Sequence, residues 1–231
     1  MEMIIALNNK SNLDKEQFLA YQEKLSSITT NHQMILCPTN LNINLHHISN
    51  VELGAQNVNT KEDGAYTGEV SARQLKASGV KYCIVGHSER REYQKETNEE
   101  INQKIKELIA NDITPILCVE ETKEQRENNQ VEEVLKEELV VGTEGLEANQ
   151  KIIIAYEPIW SIGTGLIPTV EEIDKVLAFI KTIYPNSNLL YGGSANEKNI
   201  DQLKASSYIE GYLLGGLSLK PEELTIFVNK L

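Results

Sequence analysis

Cysteine is scarce in this chain: Cys37, Cys83 and Cys118 stand far apart in 231 residues, each inside an apolar run. The odd count, with no Cys-x-x-Cys pair and no Cys/His cluster, argues against a disulfide framework or a zinc site and for reduced, buried thiols. Positive charge is also short, with 22 Lys and Arg against 34 Asp and Glu and a formal net charge of −12. Such a chain lacks the basic footprint of a nucleic-acid binder, and an anionic membrane surface repels it. No apolar stretch nears the roughly 18 residues of a membrane span. The start, MEMIIALNNK, has an acidic second residue and a short apolar run where a secretory leader needs a basic start and a longer core. The expected location is therefore the cytoplasm.

Two phosphate-binding signatures are missing as well. There is no GxxxxGK[ST], and Gly163-Thr164-Gly165 is not followed by the third glycine of a dinucleotide fingerprint. No linker, long charge block or Ser/Gly-rich break divides the chain. With 40% hydrophobic and 24% charged residues, the composition is that of a folded globular protein.

What is present is a series of short apolar, β-branched-rich runs at 3–7, 34–37, 51–55, 82–86, 115–119, 152–156, 189–191 and 212–214. Each is too short for a helix, and most are apolar without alternation, as in parallel strands buried on both faces. The segments between them read as helices. Residues 98–110 place Ile101, Ile105, Leu108 and Ile109 on one stripe, and 169–184 do the same with Val170, Ile173, Val176, Leu177, Ile180 and Ile183. Phe18, Tyr21, Leu25 and Ile28 repeat at helical spacing, as do Val131, Val134, Leu135 and Leu139. Thr97–Glu100, Thr169–Glu172 and Ser71–Gln74 fit the capping box, which satisfies the orphan amides of a first turn.

Eight strands alternating with helices predict an α/β protein, a closed (β/α)8 barrel forming a single domain over 1–231. An open doubly wound sheet is the other arrangement this order allows. In a parallel barrel all strands point one way, so the residues after each run gather at the carboxyl-terminal rim, where barrel active sites are built. Those residues are Asn8 and Lys10, His87 to Glu89, Glu157, Gly192 to Ser194, and Gly215 with Gly216. Glu157 precedes a proline, which keeps it extended; a partly desolvated carboxylate there can take a proton from a carbon beside a carbonyl. Taken singly, Glu157 could equally be a cap or an ion-pair partner, His87 a satisfied core histidine, and Lys10 a solvated lysine.

AYEPIWSIGTG at 155–165, VGHSERR at 85–91, YGGS at 191–194, GYLLGG at 211–216 and Asn-x-Lys at 8–10 together resemble triosephosphate isomerases. GAYTGEVS at 64–71 and CVEE at 118–121 extend the resemblance over essentially the whole chain, implying a TIM barrel. It implies that Glu157 is the catalytic base and His87 the electrophile that hydrogen-bonds the substrate oxygens. The family is the reference case of a histidine kept neutral by a helix amino terminus, and that property is carried over to His87. Lys10 would hold phosphate and stabilise an enediolate, with Asn8 orienting it. Gly163, Ser194, Gly215 and Gly216 would bind the phosphate through close-approaching backbone. The resemblance implies the interconversion of dihydroxyacetone phosphate and D-glyceraldehyde 3-phosphate, with no metal or organic cofactor. A catalytically silent barrel serving as a binding or scaffold protein is the alternative.

The 158–168 connection exceeds the usual strand-to-helix length and matches the family's closing lid. The loop from Gln56 to Glu69 matches the family's dimer loop, with Thr67 reaching toward the neighbour's Asn8 and His87. Arg90 and Glu69 would pair across that boundary. Glu89 is expected to contact Lys10, to shuttle protons, or to serve in a structural ion pair. The chain departs from the family at Asn9, where an aromatic is usual, at Leu166-Ile167-Pro168 in the far hinge, at Glu120 in place of a glycine, and at Leu217 in place of a small residue. The loss of an aromatic at Asn9 is expected to remove packing beneath Lys10.

Overall fold

The computed structural model describes residues 2–147, 150–161 and 167–231. Eight parallel strands close into a barrel in sequence order: β1 (Ile4–Asn8), β2 (Gln33–Cys37), β3 (Glu52–Ala55), β4 (Tyr82–Val85), β5 (Thr114–Glu121), β6 (Ile153–Pro158), β7 (Asn188–Tyr191) and β8 (Gly211–Leu214). β1 closes the ring by pairing with β2 on one side and β8 on the other. The open doubly wound sheet is thereby excluded.

The unalternating strands have a direct cause: both faces are buried. Ile4, Ala6, Ile35, Cys37, Ile84, Ile116, Cys118, Ile153, Ala155 and Leu213 fill the barrel interior. Their chain neighbours, among them Ile5, Leu7, Met34, Leu36, Leu117, Val119 and Ile154, pack outward against the helices. Those helices are α1 (Lys15–Ser26), α2 (Ala72–Ala77), α3 (Ser88–Gln94), α4 (Asn98–Ala110), α5 (Lys123–Glu127), α6 (Val131–Gly142), α7 (Val170–Ile183), α8 (Ile200–Leu203) and α9 (Pro221–Asn229).

All three predicted capping boxes form, at the starts of α2, α4 and α7, and Asp14–Gln17 and Thr122–Gln125 add two more. The connection from β2 to β3 differs from the rest, being a short 3-10 turn (Asn40–Leu45) and not an α-helix. The turn is pinned from outside by Asn42, whose side-chain amide donates to the Leu13 carbonyl at 2.8 Å. Ile28 lies just past the end of α1 yet is buried. On α6 the buried face includes Glu138, which the apolar stripe did not announce.

Candidate active site

β1 delivers Asn8 to the carboxyl-terminal rim, where it is buried. The chain then turns through Lys10 at φ 53°, a left-handed conformation uncommon outside glycine and held only where surroundings over-determine it. The restraints are visible. Lys10 N–H donates to Asn8 Oδ1 at 3.0 Å, and Gln56 Nε2 donates to both the Lys10 and Cys37 carbonyls at 2.9 Å. The Lys10 ammonium meets Glu89 Oε1 at 2.5 Å. Of the roles expected for Glu89, this structure displays the contact with Lys10 as an ion pair.

Asn9 is buried, with its Oδ1 unpartnered. Its amide donates to Ser218 Oγ at 3.3 Å, and that hydroxyl donates to the Asn8 carbonyl at 3.0 Å. A polar tie thus stands where an aromatic was expected, joining the β1 loop to the turn after β8.

β4 ends one residue before Gly86, and His87 then caps α3. His87 Nδ1 accepts the Glu89 amide hydrogen at 3.2 Å, which assigns the ring proton of a neutral imidazole to Nε2. Nε2 lies 3.2 Å from Glu157 Oε1, and Ser88 N–H donates to Glu157 Oε2 at 3.1 Å. One helix start therefore orients both the imidazole and the carboxylate. Glu157 is only 2% exposed. Room for it depends on Gly192 of the neighbouring strand end, because a Cβ there would sit 2.9 Å from Glu157 Cγ and 3.2 Å from the Tyr156 carbonyl.

Asn8, Lys10, His87 and Glu157 form one wall of a cavity of about 450 Å³, and Gly192 to Asn196 and Gly215 to Leu217 form the other. Lys220 and Glu223 stand at its rim. A side chain at Gly215 would press on Lys10, its Cβ lying 3.1 Å from Lys10 Cε. The Ser194 hydroxyl donates to the Ser161 carbonyl at 3.2 Å, linking the β7 end to the turn after Glu157. Gly163, the fourth expected phosphate ligand, lies outside the described residues.

Behind Glu157, the fully buried Glu121 accepts from Tyr156 Oη at 2.9 Å, Trp160 Nε1 at 2.8 Å and Arg126 at 3.1 Å. Arg126 stacks over the Trp160 ring at 4.8 Å and also pairs with Glu172. Burial raises the Glu121 pKa against the pull of these donors. Arg90 is engaged with Glu96 of its own chain at 2.8 Å.

Sequence reasoning named Asn8, Lys10, His87, Glu157, Ser194, Gly215 and Gly216, and the structure brings all seven to one cavity. It missed Gln56 as a brace for Lys10, Gly192 as the space for Glu157, and Ser218 as a tie. Gly192 lies within the YGGS motif, but its role depends on a neighbour in space. Among the described residues no group of three or more His, Cys, Asp or Glu is arranged to hold a metal, and no helix is long and apolar enough to cross a membrane.

Fold and site together define a class: a (β/α)8 barrel whose carboxyl-terminal rim sets an imidazole and a buried carboxylate beside a lysine and a glycine-rich pocket. The family model for triosephosphate isomerase matches residues 3–231. A triosephosphate isomerase of Trichodesmium erythraeum (strain IMS101) is 40% identical, the match covering 95% of this chain and 94% of that one. One from Clostridium botulinum (strain Loch Maree / Type A3) is 37% identical over 98% of each chain, and one from Alkaliphilus oremlandii (strain OhILAs) is 43% identical over 78% and 77%. The chain belongs to the triosephosphate isomerase family.

Proposed function

We propose that this protein is an isomerase interconverting dihydroxyacetone phosphate and D-glyceraldehyde 3-phosphate through an enediolate. Family membership gives the reaction, and one observation carries its assignment to residues: the 3.2 Å approach of His87 Nε2 to Glu157 Oε1 on a cavity wall shared with Lys10. Glu157 takes the carbon-bound proton. His87, donating through Nε2, polarises the carbonyl and moves protons between the two substrate oxygens. The Lys10 ammonium stabilises the negative charge that develops, acting from a fixed position. Because the proton returns to the adjacent carbon, the chemistry requires neither metal nor organic cofactor.

Ser194, Gly215 and Gly216, with Gly163 from the 158–168 lid, are the phosphate ligands of this reading. A chain of net charge −12 repels anions in general, so a phosphorylated triose needs local positive potential, which Lys10 and the backbone amides provide. A second cavity, of about 420 Å³, opens beside Asn8, Lys10 and His87 and is bounded by Gln56, Glu89 and Tyr93. It is the receptor for Thr67 of a second copy in a homodimer built through the 56–69 loop. The acidic composition and three buried free thiols favour a cytoplasmic location.

A coupled assay of triose phosphate interconversion, run on the purified protein beside Glu157→Gln, tests the reading. The unsubstituted protein is expected to turn over, and the variant to fall by about 10²- to 10⁴-fold, the usual contribution of a positioned base. An inactive, folded, dimeric protein would remove the reading.

A further inference from the structure

The barrel mouth holds a carboxyl that the reaction as described leaves unused. Glu120 of β5 stands in register with Glu157 of β6. Successive strand residues alternate between faces, and Ile116 and Cys118 point into the barrel, so Glu120 lies on the inner face that also carries Glu157. Its Oε2 is sealed from solvent and has no hydrogen-bond partner.

The charges around it are mostly anionic, Glu138 from α6, Glu157 from β6 and, on the opposite face of its own strand, Glu121, against the Arg91 guanidinium from α3. Glu138 Oε2 already accepts the Glu120 amide hydrogen at 2.8 Å. Arg91 is committed elsewhere, donating to the Gly86 carbonyl at 2.8 Å, to Asn98 Oδ1 at 2.7 Å and to the Cys118 carbonyl at 3.3 Å, and lying 3.6 Å from Glu138 Oε1. A carboxylate with a dry, unpartnered oxygen among like charges is costly, and the protonated acid is much less so. Burial, followed by the Glu138 charge, pushes the Glu120 pKa up to about 8.

We propose that Glu120 is a positioning residue for proton transfer at Glu157: its bound proton keeps a second negative charge away from the base, and loss of that proton in mild alkali slows the reaction. This rests on the assignment of Glu157 as base. Ionised Glu120 opposes the negative charge that develops on the enediolate.

The test is kcat followed from mildly acidic to mildly alkaline pH in the unsubstituted enzyme, Glu120→Gln and Glu138→Gln, with Glu120→Gly as a second variant should the glutamine not fold. The unsubstituted enzyme should show an alkaline decline centred near pH 8. That decline should vanish in Glu120→Gln, and in Glu138→Gln it should move to lower pH, because the neighbour that raises Glu120 is gone. Infrared difference spectra read the same proton without turnover: two protonated-carboxyl bands should be lost on going alkaline, one from Glu138 and one from Glu120, and the one centred near pH 8 should be missing from the Glu120 variants. A profile unchanged by Glu120→Gln, or a band centred near pH 8 that survives it, overturns this inference alone. Absence of activity at every pH overturns the assignment beneath it.

Discussion

Glu157 is held by contacts from three directions: the Ser88 amide, the His87 imidazole and the empty space at Gly192. The third is the least tolerant, since a methyl group 2.9 Å from Cγ must displace the carboxylate or the β6 carbonyl. Gly192→Ala is therefore expected to lose about 10²-fold in kcat, the cost of a displacement near 1 Å, while its melting temperature changes little. Steady-state kinetics beside a thermal melt check this, and full activity would mean that Glu157 need not sit where it does. Lys10, His87 and Glu157 were legible in the sequence because each follows an apolar run, and His87 and Glu157 also fall inside long motifs. Gly192, Gln56 and Glu120 were not legible in their roles, because each acts through a neighbour far away in the chain.

Between elements, the link from Asn9 through Ser218 to the Asn8 carbonyl joins the β1 loop to the turn after β8. These segments carry Lys10 on one side and Gly215 and Gly216 on the other, so the link fixes the distance between the ammonium and the proposed phosphate site. Removing the hydroxyl in Ser218→Ala leaves the buried Asn9 amide and Asn8 carbonyl short of a partner, at a cost of about 1–3 kcal/mol. The expected result is lower stability in denaturant unfolding and a raised KM. An unchanged KM would show that the two loops keep their spacing without it. The starts of α2, α4 and α7 were legible through their capping boxes, which depend on residues three apart. The 3-10 turn after β2 was not, and the bond by which Asn42 pins it reaches the Leu13 carbonyl, far away in the chain. The barrel order itself was an inference from strand count, because closure between β1 and β8 leaves no local mark in the sequence.

For the whole molecule, titration links the rim to stability. Glu120 and Glu138 have raised values, about 8 and about 7, in both cases chiefly from burial. A carboxyl that holds its proton more tightly when folded contributes stability that is lost as pH rises through these values. Glu96 has the opposite sign: burial works to raise it, but Lys104 and Arg90 hold it below the usual range. Its contribution is present at neutral pH and lost as pH falls through the depressed value. The melting temperature is therefore expected to peak in mildly acidic solution and to decline toward alkali, with a shallower decline in Glu120→Gln. Calorimetry across pH checks this, and a melting temperature that rises steadily into alkali would contradict the burial of two protonated carboxyls.

The central claim is that Glu157 removes a proton from carbon, leaving an enediolate whose proton can exchange with water. Its most direct test is to run the isomerisation in D₂O and read the product by NMR, for the unsubstituted protein and for Glu157→Gln. The account predicts deuterium on the carbon that receives the proton, entering whenever the proton held by Glu157 exchanges before it is returned, and almost none in the variant over the same time. Deuterium entering as fast in Glu157→Gln as in the unsubstituted protein would mean that another group removes the proton, and Glu157 would lose its role as the base.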